Sequence, residues 1–304
     1  MRDRRIPVAV VGFGRLGTAC AEAVLASEDL VLAGIVRREA RAGNDAPPAL
    51  HGVRVARDTG ELRGVRIALV CVPPEAATDV ARSLLQHGVG VAVCARLYAA
   101  EAAAHAAALE PAARHGHAAA VVGAGWDPGA LQLVHGLALL LVPKGHTDSR
   151  HHAVATLHHT LAVRNVPGVR EALCTELRAP HGGVQRYVYV ELSPGAEPAQ
   201  VADAIRADPL FLDEETIVVP VESTAALEQE SHGVTLERRG TAAGAAHQRF
   251  LVEARFDVHA AAAQVMVGAA RALVGAPPGV RTLLDVPHAA LLGPHAVRAL
   301  ASSA

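Results

Sequence analysis

Three glycines at positions 12, 14 and 17 follow an apolar, β-branched run and open an Ala/Leu-rich stretch, which restricts the possible folds sharply. Ile6–Val11 reads as a buried strand, and Leu16–Ala26 reads as a helix. A chain that passes from strand to helix in so few residues needs a glycine in the tight turn. It also needs an open backbone position and a third glycine where helix and strand pack closely. Gly12, Phe13, Gly14, Arg15, Leu16 and Gly17 supply that pattern. The arrangement predicts a dinucleotide site, with the pyrophosphate received by the helix N-terminus.

The next hundred residues repeat the alternation. Leu30–Val36, Val65–Val72, Val89–Cys94 and Ala118–Val122 read as buried strands, with helices over Ala76–Gln86 and Glu101–His115. Continuous apolar strands between helices predict a parallel sheet covered on both faces. Further on, Gln185–Leu192, Thr216–Glu222, Val234–Arg239 and Phe250–Phe256 alternate polar and apolar residues, the pattern of a sheet with one solvated face. Helices are predicted over Ala199–Ala207 and Ala260–Val274. The fold class that follows is α/β: an N-terminal Rossmann, doubly wound parallel sheet, then an α+β substrate and dimerisation domain with a mixed or antiparallel sheet. We place the dinucleotide domain at 1–123, with 276–304 returning to it, and the second domain at 124–275.

The choice of dinucleotide is set at the end of the second strand. An acid there would bind the ribose diol and repel a 2′-phosphate. The sequence holds Arg37 and Arg38 instead, and two guanidiniums suit a 2′-phosphate. The cofactor predicted is NADP(H). Cys71, Val72 and Pro73 end a later strand where a loop can pass the nicotinamide ribose. The formal charge of −2 and the lack of a basic tail argue against nucleic acid as a partner. No apolar stretch is long enough for a membrane span, and the short N-terminal run lacks the marks of a leader peptide. Cys20, Cys71, Cys94 and Cys174 are scattered, as expected of free thiols in a cytoplasmic protein. Paired histidines at 151–152 and 158–159 lack the spacing of ligands, so no metal site is expected.

The segments VAVVGFGRLG, GIVRR, LVCVP, GAGWDPG, VPGVR, RYVYVELSPG, SHGVTLERRG and AQVMV together resemble the meso-diaminopimelate dehydrogenases along nearly the whole chain. The resemblance implies an NADP-dependent enzyme that moves hydride to or from the α-carbon of an amino acid, as a homodimer or larger homo-oligomer. Its small-molecule partner would be an amino acid, a keto acid or an imine. Asp127 is then the acid/base or amine-orienting candidate, with Trp126 as an apolar wall and Gly129 in the same turn. The competing reading is a turn residue before Pro128 that caps the following helix, and the two roles can coexist. Arg186 matches the family's distal-carboxylate arginine, and His232 matches a histidine that shares that task.

Several departures fall on the residues that recognise the amino acid. The family's acidic segment, which receives the ammonium group, is here Val93-Cys94-Ala95-Arg96-Leu97-Tyr98, with Arg96 at or near an acid's place. The family's glycine-rich loop is replaced by Ala153–Thr160, a distal-carboxylate threonine by Glu176, and an asparagine by His247. Cofactor motifs survive while substrate contacts are rewritten. The reading is an NADPH-dependent amino-acid dehydrogenase or imine reductase of altered specificity. The alternatives are an authentic meso-diaminopimelate D-dehydrogenase and a catalytically silent NADP-binding or regulatory protein. The absence of an EKP-type lysine motif argues against a sugar or aldehyde reductase.

Overall fold

The computed structural model describes residues 5–37, 50, 52–62, 64–152, 154–155, 157–178, 184–212, 215–225, 227 and 233–303. It divides the chain into two compact units, 1–137 with 258–304, and 138–257. The first begins β1 (Ile6–Val11), α1 (Arg15–Leu25), β2 (Leu30–Val36), β3 (Val55–Ala56), β4 (Ile67–Val70) and α2 (Pro74–Gln86). It continues with β5 (Gly90–Val93), α3 (Ala99–His115), β6 (Ala119–Val122) and the start of α4 (Leu131–Leu141).

In the second unit come β7 (Lys144–His152), β8 (Val154–Ala155), α5 (Leu157–Arg164), β9 (Val169–Arg178) and β10 (Val184–Leu192). They are followed by α6 (Pro198–Arg206), β11 (Glu215–Pro220), β12 (Gly233–Ala242) and β13 (Ala245–Arg255). The chain then returns to the first unit as α7 (Val258–Leu273) and β14 (Gly279–Arg281), closing with α8 (His288–Leu291) and α9 (Pro294–Ser303).

Seven parallel strands form the first unit's sheet, in the order β14-β6-β5-β4-β1-β2-β3. Strands β4, β5 and β6 are buried at every position, as expected when helices cover both faces. One face packs α1 and α7 through Cys20, Ala21, Val24, Met266, Val267 and Ala270. The other packs α2 and α3 through Ala77, Ala81, Leu85, Leu109 and Ala113. The edge strand β14 is held by Glu110 on α3, whose Oε2 accepts from Val280 N at 2.7 Å. Small side chains on α7 allow its close packing on α1, so this helix lies with the dinucleotide unit rather than with the second domain. The compact units therefore divide at 137/138 and 257/258, where the sequence suggested 123/124 and 275/276.

The second unit contains two sheets. One is mixed, β11-β10-β9-β8, with β10 and β11 parallel across the α6 crossover; the other is antiparallel, β13-β12-β7. Val163, Ala172, Cys174, Val188, Val190, Val201, Ile205 and Phe211 form the core between the mixed sheet and its helices. The alternating strands read from the sequence are present. Strands β7 and β9 were not read; β7 carries no apolar side chain to mark it. Strand β8 and the start of helix α5 fall within the stretch that the resemblance marks as a loop.

Candidate active site

The glycine-rich turn is shaped by contacts that only glycine permits. Gly12 has φ +95°, and a Cβ there would lie 2.6 Å from Cys71 O. At Gly17 a Cβ would lie 2.1 Å from Gly12 O. A Cβ on Gly14 would meet nothing within 4 Å, and Gly14 and Arg15 are exposed. Gly14 therefore leaves open space at the start of α1, where no side chain caps the helix. Phe13 and Leu16 are half-buried and pack on the core beneath the turn.

Gly12 N donates to Val36 O at 2.9 Å, which brings the turn against the end of β2. Arg37 follows directly. Its Nε is buried and has no hydrogen-bond partner among the described residues. A buried guanidinium donor without an acceptor, next to an uncapped helix start, fits a phosphate-bearing dinucleotide. Arg38 lies outside the described residues. Cys71 closes the other side of the turn: its N donates to Val11 O at 2.7 Å, and its carbonyl faces Gly12. Its side chain points into the core, 3.7 Å from Cys20 Sγ and 3.9 Å from Met266 Sδ. Hydrogen bonding to Cys20 and burial push the Cys71 thiol well above its ordinary value, and burial pushes Cys94 up to about 12. Both are neutral thiols rather than nucleophiles. Val72 is half-buried, and Pro73 is the residue just before α2.

Further along the strand ends, three polar side chains meet. Tyr98 Oη donates to Asp127 Oδ2 at 2.9 Å. Arg96 Nη2 lies 3.4 Å from Tyr98 Oη and 3.8 Å from Asp127 Oδ2. Asp127 is largely shielded, with 18% of its side chain exposed, against 51% for Arg96. Burial raises the Tyr98 hydroxyl above its usual value, with Arg96 opposing the shift, so Tyr98 remains a donor at neutral pH.

Asp127 is extended (φ −126°, ψ 122°) and precedes a cis peptide to Pro128. The turn is entered at Gly125, and the Asp127 carboxylate accepts from Tyr98 within the cluster. Trp126 is half-buried in the same turn. Gly129 is buried for a packing reason: a Cβ there would lie 2.1 Å from Gly123 O. Tyr98 was missed as a functional candidate because nothing in its spacing marks it; the fold brings it to Asp127.

In the second unit, Arg186 and Glu176 stand opposite each other on β10 and β9. Arg186 is 2% exposed and shares the helix-covered face with Val188 and Val190. Its Nη2 lies 3.6 Å from Glu176 Oε2, and Glu176 keeps 34% of its side chain exposed. His247 sits near the β12–β13 turn, exposed and at φ +60°, in the other sheet of that unit. His232 lies outside the described residues. Thus the structure joins Arg96 to Asp127, and Glu176 to Arg186, within their respective units. Among the described residues no group of three His, Cys, Asp or Glu could hold a metal, and no helix is long and apolar enough to cross a membrane.

A parallel sheet with this turn at its centre defines a dinucleotide-binding oxidoreductase unit, and residues 6–116 match the oxidoreductase family with an NAD-binding Rossmann fold. The chain belongs to the meso-diaminopimelate D-dehydrogenase family and is an amino-acid dehydrogenase. It is 34% identical to the meso-diaminopimelate D-dehydrogenase of Bacteroides fragilis over 290 residues, 95% of this chain and 96% of that one. Solved structures share the fold. A mutant meso-diaminopimelate dehydrogenase of Clostridium tetani E88, solved with DAP, has a TM-score of 0.72 at 18% identity, covering 97% of this chain and 99% of that one. An engineered D-amino acid dehydrogenase bound to NADP+ has a TM-score of 0.65 at 18% identity and the same coverage.

Proposed function

We propose that this chain is an NADPH-dependent dehydrogenase that interconverts a D-amino acid lacking a distal carboxylate with its 2-keto acid and ammonia. The observation that carries this reading is the Arg186–Glu176 pair. The guanidinium that the family would offer to a distal carboxylate is buried against an acid of the protein itself. A substrate carboxylate arriving there would meet a neutralised partner and a repelling charge.

Gly14 and the start of α1 would receive the pyrophosphate, and Arg37 the 2′-phosphate. When bound, the nicotinamide supplies the hydride for the imine carbon. Asp127 has one oxygen held by Tyr98, which leaves the other to accept an N–H of the substrate amine and orient it. Arg96 would repel a free ammonium and attract the α-carboxylate beside it. Free thiols at all four cysteines support a cytoplasmic setting. Exposed Leu139, Leu140 and Leu141 on α4 support assembly with a second copy.

The second reading, turnover of meso-diaminopimelate itself, draws on the identity to the Bacteroides fragilis protein across nearly the full length. NADPH consumption in the presence of ammonia separates the two readings. We expect turnover of monocarboxylic 2-keto acids with kcat/KM above that of acids with a distal carboxylate. A clear preference for the diaminopimelate-derived keto acid would overturn the proposal.

A further inference from the structure

Reductive amination consumes a proton as well as a hydride. A 2-keto acid anion, an ammonium ion and NADPH give a zwitterionic amino acid, NADP+ and water only when one further proton arrives. Hydride transfer leaves a neutral amine on the α-carbon, and that nitrogen must take the proton from a group that solvent can recharge. Asp127 is largely shielded. Tyr98 is 46% exposed, and its Oη already donates to Asp127 Oδ2 at 2.9 Å.

The backbone around this tyrosine is constrained. Tyr98 is the residue just before α3, and Ala99, the first residue of that helix, has φ +45°. A left-handed conformation at a residue other than glycine costs about 1–3 kcal/mol and collects at functional sites. The helix start has no side-chain cap; Tyr98 O accepts from Glu101 N at 3.1 Å instead. The hydroxyl is only partly shielded, and Arg96 Nη2 lies 3.4 Å from its oxygen. That guanidinium stabilises negative charge on the oxygen as a proton leaves it. A phenolic oxygen accepts as well as donates, so water can return the proton.

We propose that Tyr98 is a relay that carries protons from solvent to Asp127 during turnover; this rests on the amino-acid reading above. The Tyr98 O–H bond breaks as an O–H bond forms on Asp127, and water restores the proton to Tyr98. The Cβ–Cγ torsion of an aspartate is broad and two-fold, so a half-turn of the carboxyl presents the new proton to the amine. An N–H bond forms, and Asp127 returns to its carboxylate. In oxidative deamination the same steps run backwards, and the proton leaves through Tyr98. Tyr98 acts through Asp127 and needs no contact with the substrate.

The test is steady-state reduction of 2-keto acids with ammonia and NADPH by the full chain and by Tyr98→Phe, near neutral pH, over a range of imidazole concentrations at constant ionic strength. Phenylalanine keeps the ring and removes only the hydroxyl. In the variant kcat should fall roughly tenfold, with the NADPH dissociation constant unchanged. Imidazolium is a small acid that can recharge Asp127 directly, so it should recover at least half of the lost rate in Tyr98→Phe and leave the parent rate unaltered. If Tyr98 only positions Asp127, the variant is slow and imidazole does not recover it, which overturns the relay. Turnover of Tyr98→Phe at the parent rate overturns it too, while the amino-acid reading stands. A parent chain that reduces no 2-keto acid overturns the relay together with that reading.

Discussion

Replacing Glu176 with threonine, the residue type that the family resemblance places there, isolates the charge that separates this pocket from its relatives. At 3.6 Å and an effective dielectric near 20, the Arg186–Glu176 attraction is about 4–5 kcal/mol before desolvation and screening. Glu176 keeps 34% of its side chain exposed, so much of that is screened. A retained difference of about 1.5–3 kcal/mol is reasonable for one partly desolvated pair. Two effects of opposite sign follow in Glu176→Thr. Buried Arg186 loses its counter-charge, lowering stability by about 2–3 kcal/mol, seen as a Tm several degrees lower. The repelling charge beside Arg186 is removed, so KM or the competitive inhibition constant of a D-amino acid with a distal carboxylate falls roughly 10- to 100-fold. A monocarboxylic substrate should change little. The assay is paired steady-state kinetics and thermal unfolding on both chains. If dicarboxylate affinity and Tm both stay at the parent values, the pair is energetically idle and the reasoning is wrong.

Arg37→Ala should weaken NADPH binding by about 1.5–3 kcal/mol while leaving NADH within a factor of a few, measured by fluorescence titration, because only NADPH carries a 2′-phosphate. Tyr98→Phe removes one hydrogen bond to Asp127 and should lower kcat/KM roughly tenfold with little change in Tm. Asp29 tests acid stability. Burial works to raise its carboxyl, but the hydrogen bonds at 2.9 and 3.0 Å and the charge of Arg271 outweigh it, holding it below the usual carboxylate value. A depressed folded-state value stabilises fully above the unfolded carboxylate value of about 3.9 and is lost as pH falls through the folded value. Asp29→Asn should therefore cost about 2 kcal/mol at neutral pH, and the gap to the parent should shrink as pH falls below the unfolded carboxylate value in denaturant titrations.

Much of the first unit was legible because its sequence signals are local. The strand from Ile6 to Val11, the glycines at 12, 14 and 17 and the arginine at 37 each occupy places fixed by near neighbours. The second unit was less legible. Period-two alternation marks strands but not their partners, so the split into a mixed and an antiparallel sheet was invisible. An all-polar strand such as Lys144–His152 carries no period at all. At the candidate site, Asp127 and Arg186 were both singled out through the resemblance. The pairing of Arg186 with Glu176 depends on cross-strand register, and Tyr98 reaches Asp127 across 29 residues.

The central claim is that hydride passes to the α-carbon of an amino acid. Tracing deuterium from NADPH labelled at C4 into the product of a monocarboxylic 2-keto acid plus ammonia tests it most directly. One deuterium is expected at the α-carbon of a D-configured amino acid, read by mass spectrometry and chiral chromatography. NADPH oxidation that leaves the α-carbon unlabelled, or binding of NADPH with no labelled product from any keto acid offered, would contradict it.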